Sequence, residues 1–130
     1  MSTRLLLQSS ALLLVFLGVL LSFLPAEIGS FMGFTQGLAT QVALQLLGAV
    51  YFGFGMLNYM SKRAIVGGIY GRPLVVGNFS HFLIAALALL KAQDLLSTFP
   101  WLWALAIAFG LLAVAFGRLL FYAPAGSSDR

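Results

Sequence analysis

The sequence predicts an all-α integral membrane protein, a bundle of four membrane-spanning helices with both termini in the cytoplasm. Of the 130 residues, 62% are hydrophobic and only 8% are charged, whereas roughly a quarter of the residues in a soluble domain are charged. Three acids and seven bases cannot cover the surface of a soluble domain of this size. Four apolar stretches each approach the ~20 residues that a helix needs to cross ~30 Å of hydrocarbon, and none shows the period-two alternation of a membrane β-barrel.

The four helices are expected at about residues 5–24, 38–60, 73–91 and 100–122. Pro25 ends the first helix, because a proline disfavours helical backbone in the residue before it, and the loop 25–37 leads to the second. Pro73 suits the first turn of the third helix, where its missing N–H costs no hydrogen bond. The fourth helix ends before Pro124. We therefore expect a single transmembrane domain over 1–122 and a short polar cytoplasmic tail over 123–130.

The distribution of basic residues predicts the orientation of these spans. Four helices place six of the seven bases on one side of the membrane: Arg4, Lys62, Arg63, Arg72, Arg118 and Arg130. Lys91 alone lies on the other side. Since Lys and Arg concentrate on the cytoplasmic side, both termini are expected to be cytoplasmic. An alternative is that the first helix is a cleaved signal, because Arg4 precedes an apolar run; three helices would then remain in the same orientation.

Small and polar residues mark the expected contact faces, since helices in lipid associate by close backbone approach and by polar contacts. On the first helix this face consists of Ala11, Gly18 and Ser22, and on the fourth of Ala106, Gly110, Ala113 and Gly117. On the second helix it consists of Gln41, Gln45, Gly48, Phe52, Gly55 and Tyr59, and on the third of Gly77, His81, Ala85 and Ala88, with Asn78 at its edge. We expect the second and third helices to be close partners through these faces.

The connector between the second and third helices is the most informative segment for function. Its glycines at 67, 68 and 71 permit tight turns, and Arg63 and Arg72 bracket it. Glycine-rich backbone beside guanidinium groups suits a phosphate or a carboxylate. The ligand-binding residues expected at this end of the bundle are Asn58, Tyr59, Arg63, Tyr70, Arg72, Asn78, His81 and Arg118. The simpler alternative is a short turn whose bases lie among anionic lipid headgroups and maintain the topology.

Polar side chains within the spans have both a functional and a structural interpretation. His81 is the one span residue whose charge changes near neutral pH. A neutral imidazole that fastens two helices is the simpler interpretation, because no carboxylate or second histidine lies in any expected span. Gln41 and Gln45 either line a polar pathway with His81 or join helices. Arg118, near the end of the fourth helix, is expected to bind an anionic lipid headgroup.

The middle third of the chain contains a sequence pattern that resembles a protein family. The run from Gln45 to Asn58 is followed by GGIYGRP at 67–73 and GNFSHF at 77–82. This pattern resembles an uncharacterised family of small bacterial four-helix inner-membrane proteins. The resemblance implies a location in the bacterial inner (cytoplasmic) membrane and carries no activity, substrate or catalytic residue.

The sequence therefore predicts a non-enzymatic accessory or lipid- and anion-binding bundle that acts through its basic cytoplasmic connector. Without cysteine and with one histidine, the chain lacks the residues of a thiolate or zinc site. We expect no catalytic residue, no metal, no cofactor and no nucleic-acid partner. The expected partners are anionic membrane lipids, and a homo-oligomer or a larger membrane complex stays open. The alternatives are a small oligomeric transporter or channel lined by Gln41, Gln45 and His81, and a lipid enzyme that uses His81 as base.

Overall fold

The computed structural model describes residues 2–63 and 71–122, which form six helices and no strand. The helices are α1 (Thr3–Phe23), α2 (Pro25–Phe31), α3 (Leu38–Met60), α4 (Gly71–Lys91), α5 (Gln93–Thr98) and α6 (Leu102–Tyr122). The four long helices are long and apolar enough to cross a membrane, since 21 residues extend about 31 Å. The predicted all-α class is confirmed, and the four spans indicate a multi-pass membrane protein.

The long helices begin and end close to the predicted positions. The bounds of α3 agree with the prediction, while α1 and α4 each begin two residues earlier than predicted. Helix α6 begins two residues later than predicted, because Pro100 and Trp101 form a turn. In that turn the amide of Leu102 donates to the carbonyl of Phe99 at 3.0 Å, and the amide of Trp103 donates to Pro100 at 3.1 Å.

The predicted loop 25–37 contains a short helix, α2, which the sequence prediction missed. Pro25 is its first residue and Glu27 lies in its first turn, both of which favour a helix start. The helix ends at Phe31, and Gly33 follows shortly after it with a φ of 70°, which is strained for other residues. The amides of Gly33 and Phe34 donate to the carbonyls of Ser30 at 3.1 Å and Gly29 at 2.9 Å. This pair of bonds is a Schellman motif, which satisfies carbonyls at the end of α2.

A second short helix, α5, follows α4 after a break at Ala92, whose ψ is 55°. The hydroxyls of Ser97 and Thr98 donate to the carbonyl of Asp94 at 2.8 and 2.9 Å. Leu96 is buried, and α5 packs against α4. The segment between the third and fourth spans is therefore ordered by local hydrogen bonds and one buried leucine.

The described residues divide into two compact units, of which one is Leu7–Lys62. In this unit α1 and α3 run antiparallel and approach closely at glycines. A Cβ added at Gly18 would lie 2.5 Å from the amide nitrogen of Phe52, and one added at Gly48 would lie 2.6 Å from Ser22 Oγ. A Cβ at Gly55 would lie 3.0 Å from the carbonyl oxygen of Ala11. The small residues predicted for the first and second helices thus meet in an α1–α3 contact, which we call the glycine seam (Ala11, Gly18, Ser22, Gly48 and Gly55). The rest of the face predicted for the second helix is not buried here, since Gln45, Phe52 and Tyr59 are exposed.

The other unit comprises the described residues before Leu7 and after Lys62, and its core is aromatic. Helix α4 packs against α6 through phenylalanine rings. Phe82 stacks on Phe116 with ring centroids 5.9 Å apart and meets Phe109 at 5.5 Å. All three rings are buried. Phe79 packs edge-on against Phe121 at 5.8 Å and fills the space beside Gly117.

The buried face of α4, which carries these rings, differs from the contact face predicted for the third helix. The structure buries the residues Gly71, Leu74, Val75, Asn78, Phe82 and Ala86 of α4. The predicted face is only half-buried at Gly77, His81 and Ala85 and is exposed at Ala88. On α6, the predicted Ala106, Ala113 and Gly117 are buried, but a Cβ at Gly110 would meet nothing within 4 Å. The small-residue rule fails on α4 because bulky rings, rather than close backbones, make this contact. A close contact between the second and third spans stays a prediction.

Candidate functional site

Two arginines lie at the same end of the α4–α6 pair. Phe79 contacts Gly117 and Phe121, whereas Phe82, further along α4, contacts the earlier α6 residues Phe109 and Phe116, so α4 and α6 are antiparallel. Arg72 lies in the first turn of α4 and Arg118 lies one turn before the end of α6. Both side chains are exposed. The geometry thus places two of the predicted site residues together at one end of this unit.

The connector itself lies mostly outside the described residues. Tyr70 and the glycines at 67 and 68 belong to that stretch, so their predicted role stays a prediction. Arg63, the last described residue before it, is exposed, as is Arg72 after it. The described part of the predicted anion site therefore consists of exposed guanidinium groups on both sides of the connector.

Asn58 has a packing role in the glycine-seam unit instead of an open ligand position. Its side chain is fully buried, and its Nδ2 donates to the hydroxyl of Ser10 at 3.0 Å. That hydroxyl in turn donates to the carbonyl of Leu7 at 3.0 Å. The chain of hydrogen bonds joins α3 to α1, as interhelical polar contacts in membranes commonly do.

Tyr59 is half-exposed at the end of α3 and has a partner that the sequence prediction missed. Lys62 Nζ lies 3.7 Å from the centre of the Tyr59 ring, within the range of a cation–π contact. The signal for this contact was the spacing of three residues at the end of a helix. The contact places a fourth base, Lys62, beside a predicted site residue.

Asn78 and His81 both lie on α4, and His81 packs against a ring of α6. Asn78 is fully buried, and its Nδ2 donates to the carbonyl of Leu74 at 2.9 Å. The His81 ring is half-buried and makes edge-on contacts with Phe82 at 5.0 Å and Phe109 at 5.9 Å. His81 therefore packs against α6, and its role as a base stays a prediction.

The two glutamines of α3 differ in exposure. Gln41 is half-buried, whereas Gln45 is exposed. Both lie in the unit Leu7–Lys62, and His81 lies in the other unit. A pathway lined jointly by these three residues stays a prediction.

A groove along α6 was not predicted. It has a volume of about 470 Å³ and is lined by Leu6, Leu111, Val114, Ala115, Arg118, Leu119 and Tyr122. The six lining residues of α6 recur at helical spacing and so share one face. Arg118 is the charged member of this set, while the other members are apolar apart from the Tyr122 hydroxyl. We call this feature the α6 groove. The spacing was visible in the sequence, but the wall contributed by Leu6 was not.

Among the described residues of this unit, the acidic side chain is that of Asp94, and it lies far from this end of the α4–α6 pair. Asp94 is exposed in the first turn of α5, just before the start of α6. About 24 Å of helix separates Leu102 from Arg118. Within the parts of the chain that the structure describes, no three His, Cys, Asp or Glu side chains could together hold a metal ion. The described chemistry of this end is therefore basic and apolar.

No protein-family model, curated protein or solved structure matches the chain. The resemblance of the middle third to small bacterial inner-membrane proteins stays a prediction.

Proposed function

We propose that this protein is a non-enzymatic bundle of the bacterial inner membrane that binds anionic lipid headgroups, as an accessory component, on its cytoplasmic side. The observation that supports this proposal is the exposure of Arg72 and Arg118 at one end of the antiparallel α4–α6 pair. Arg63 adds a third exposed guanidinium beside the connector. Each base near an anionic leaflet contributes about 1 kcal/mol of attraction, so these residues together would favour anionic lipids strongly.

The orientation follows from the same charges. Lys91 is the described base at the opposite end of α4. Because basic residues concentrate on the cytoplasmic side, we assign the end with Arg72 and Arg118 to the cytoplasm. Four spans then place both termini on that side, and the bundle needs no active-site chemistry to concentrate anionic lipid.

Removing two connector charges tests this function. The double variant Arg63→Gln, Arg72→Gln should lose most of its preference for anionic lipid, by roughly five-fold for each base. The measurement is the fraction of spin-labelled phosphatidylglycerol immobilised by the reconstituted protein, relative to spin-labelled phosphatidylcholine. Lys91→Gln is the matched control, since it removes one charge at the other end and should leave the preference intact. Equal preference in the wild type and the double variant would refute the proposal.

One observation supports the alternative of a small oligomeric transporter or channel. In α3 only 17% of the apolar window is buried, against 33% in α1. Gln45, Ala49 and Gly53 lie four residues apart on an exposed face of α3. A Cβ at Gly53 would meet nothing within 4 Å. Small residues beside an amide are typical of helix interfaces in membranes, so this face suits a second copy of the chain.

The alternative predicts a particular oligomeric state. In a mild detergent the wild-type protein should be a dimer or a larger ring, and Gln45→Leu should shift it towards the monomer, because the variant loses interhelical hydrogen bonds. Native mass spectrometry reports the number of chains directly. A monomeric wild type would remove the transporter from consideration.

A further inference from the structure

We propose that the α6 groove binds one anionic phospholipid, with an acyl chain along the groove and the phosphate on Arg118. This inference rests on the proposed function, because it requires the end of α6 that carries Arg118 to face the anionic leaflet. It goes further by naming a single site, its ligand class and the residue that selects the headgroup.

The shape of the groove suits an acyl chain. It follows the axis of α6 from Arg118 to Leu111, a distance of about 10 Å. Leu111 and Val114 are more than half exposed, Ala115 is small and half-buried, and Leu6 adds a wall from α1. The volume of about 470 Å³ lies within the range of small-molecule sites. A flexible hydrocarbon chain fills such an apolar trough on a membrane-spanning helix without needing a polar partner.

The charge of the groove selects the headgroup. Arg118 lies one turn from the end of α6, about 6 Å below it, where an arginine can bury its stem and extend its guanidinium towards the interface. Asp94 lies near the far end of α6, so it cannot neutralise this guanidinium. A guanidinium binds phosphate oxygens with two parallel hydrogen bonds.

The position of Tyr122 completes the arrangement. It lies one turn beyond Arg118 on the same face and lines the groove. Tyrosine is enriched at membrane interfaces because its ring is apolar and its hydroxyl is polar. Its hydroxyl offers a second hydrogen-bond donor at the Arg118 end of the groove. Charge at the mouth of the groove and hydrocarbon below it match the order of groups in a phospholipid.

The test uses native mass spectrometry of the full chain in a mild non-ionic detergent, with phosphatidylglycerol or phosphatidylethanolamine added. The wild type should retain one phosphatidylglycerol in preference to phosphatidylethanolamine. Arg118→Gln should weaken the binding of phosphatidylglycerol about ten-fold or more, since it removes a charge-assisted hydrogen bond. Arg118→Lys should recover part of that affinity, because it keeps the charge but loses the bidentate geometry.

A groove-filling variant tests the acyl-chain part separately. Ala115→Phe should abolish the retention of both lipids, because the ring occupies the path of the chain. The matched control is Ala104→Phe, which places the same ring at an exposed position of α6 about 16 Å away. Circular dichroism checks that the helix content of each variant equals that of the wild type.

The outcomes separate this site from the general function. If Arg63→Gln, Arg72→Gln reduces the preference for anionic lipid while Arg118→Gln and Ala115→Phe retain phosphatidylglycerol normally, the groove site is wrong and the proposed function stands. If added glycerol phosphate or inorganic phosphate displaces the lipid from the wild type, the site is one for a free anion and the lipid assignment is wrong. Loss of lipid in Ala115→Phe but not in Ala104→Phe, together with the loss in Arg118→Gln, supports the site.

Discussion

Replacing Gly18 with alanine should lower the free energy of unfolding by about 1–3 kcal/mol, the usual cost of overpacking. The added Cβ would lie 2.5 Å from the amide nitrogen of Phe52 and 2.8 Å from the carbonyl oxygen of Gly48. These are backbone atoms of α3, so they cannot move aside as the end of a side chain can. The two helices would have to separate, and close approach is the main attraction between helices in lipid.

The measurement is reversible unfolding of the purified protein in mixed micelles with increasing sodium dodecyl sulfate. Gly110→Ala is the control, because it makes the same substitution within a helix where the Cβ would meet nothing within 4 Å. Its free energy of unfolding should be unchanged or slightly raised, since alanine favours the helix. A Gly18→Ala protein as stable as Gly110→Ala would show that the glycine seam does not hold α1 and α3 together.

Replacing Phe82 with alanine should have the next largest effect, a loss of about 2 kcal/mol. The side chain is fully buried and its ring meets those of Phe109 and Phe116. In a soluble protein the same change costs about 3–5 kcal/mol. We expect less here, because in the unfolded state the helix stays in lipid and only the ring contacts are lost.

The same unfolding assay checks the loss at Phe82. Phe16→Ala is the control, since Phe16 is 59% exposed on α1. This substitution should change the free energy of unfolding by no more than about 0.5 kcal/mol. An equal effect of the two substitutions would mean that the ring cluster does not stabilise the α4–α6 pair.

The long helices could be predicted because their lengths follow from the thickness of hydrocarbon. The short helices were missed for the same reason: a search for apolar runs ignores segments of six or seven residues. Yet α2 had local signals, a proline at its start, Glu27 in its first turn and Gly33 after its end. Capping rules, applied independently of hydropathy, would have found it.

Contact faces were predictable only where backbones approach closely. The glycines of α1 and α3 marked residues that do meet, because small side chains allow close backbone approach, although the sequence analysis paired the second helix with the third. On α4 every side is apolar enough for lipid, so no amphipathic pattern distinguished Phe82 from its neighbours. Which face of α4 is buried depends on the α6 rings that lie opposite it. The sequence of α4 alone does not contain that information.

Some features of the candidate site could also be predicted from the sequence, and others could not. The shared end of Arg72 and Arg118 could be predicted, since it follows from the number of spans between them. The hydrogen bond between Asn58 and Ser10 could not, because the two residues are 48 positions apart and each had other potential partners. The α6 groove likewise depends on Leu6, which lies far from α6 in the chain.

The continuity of the unit Leu7–Lys62 affects how the protein is made. The contacts described above for this unit, those of the glycines and of the Asn58–Ser10 pair, belong to one uninterrupted segment. As the ribosome delivers the chain from its N-terminus, this helical hairpin is complete before α4 has been translated. The amide of Asn58 can then find the Ser10 hydroxyl during insertion, without waiting for the second half of the protein.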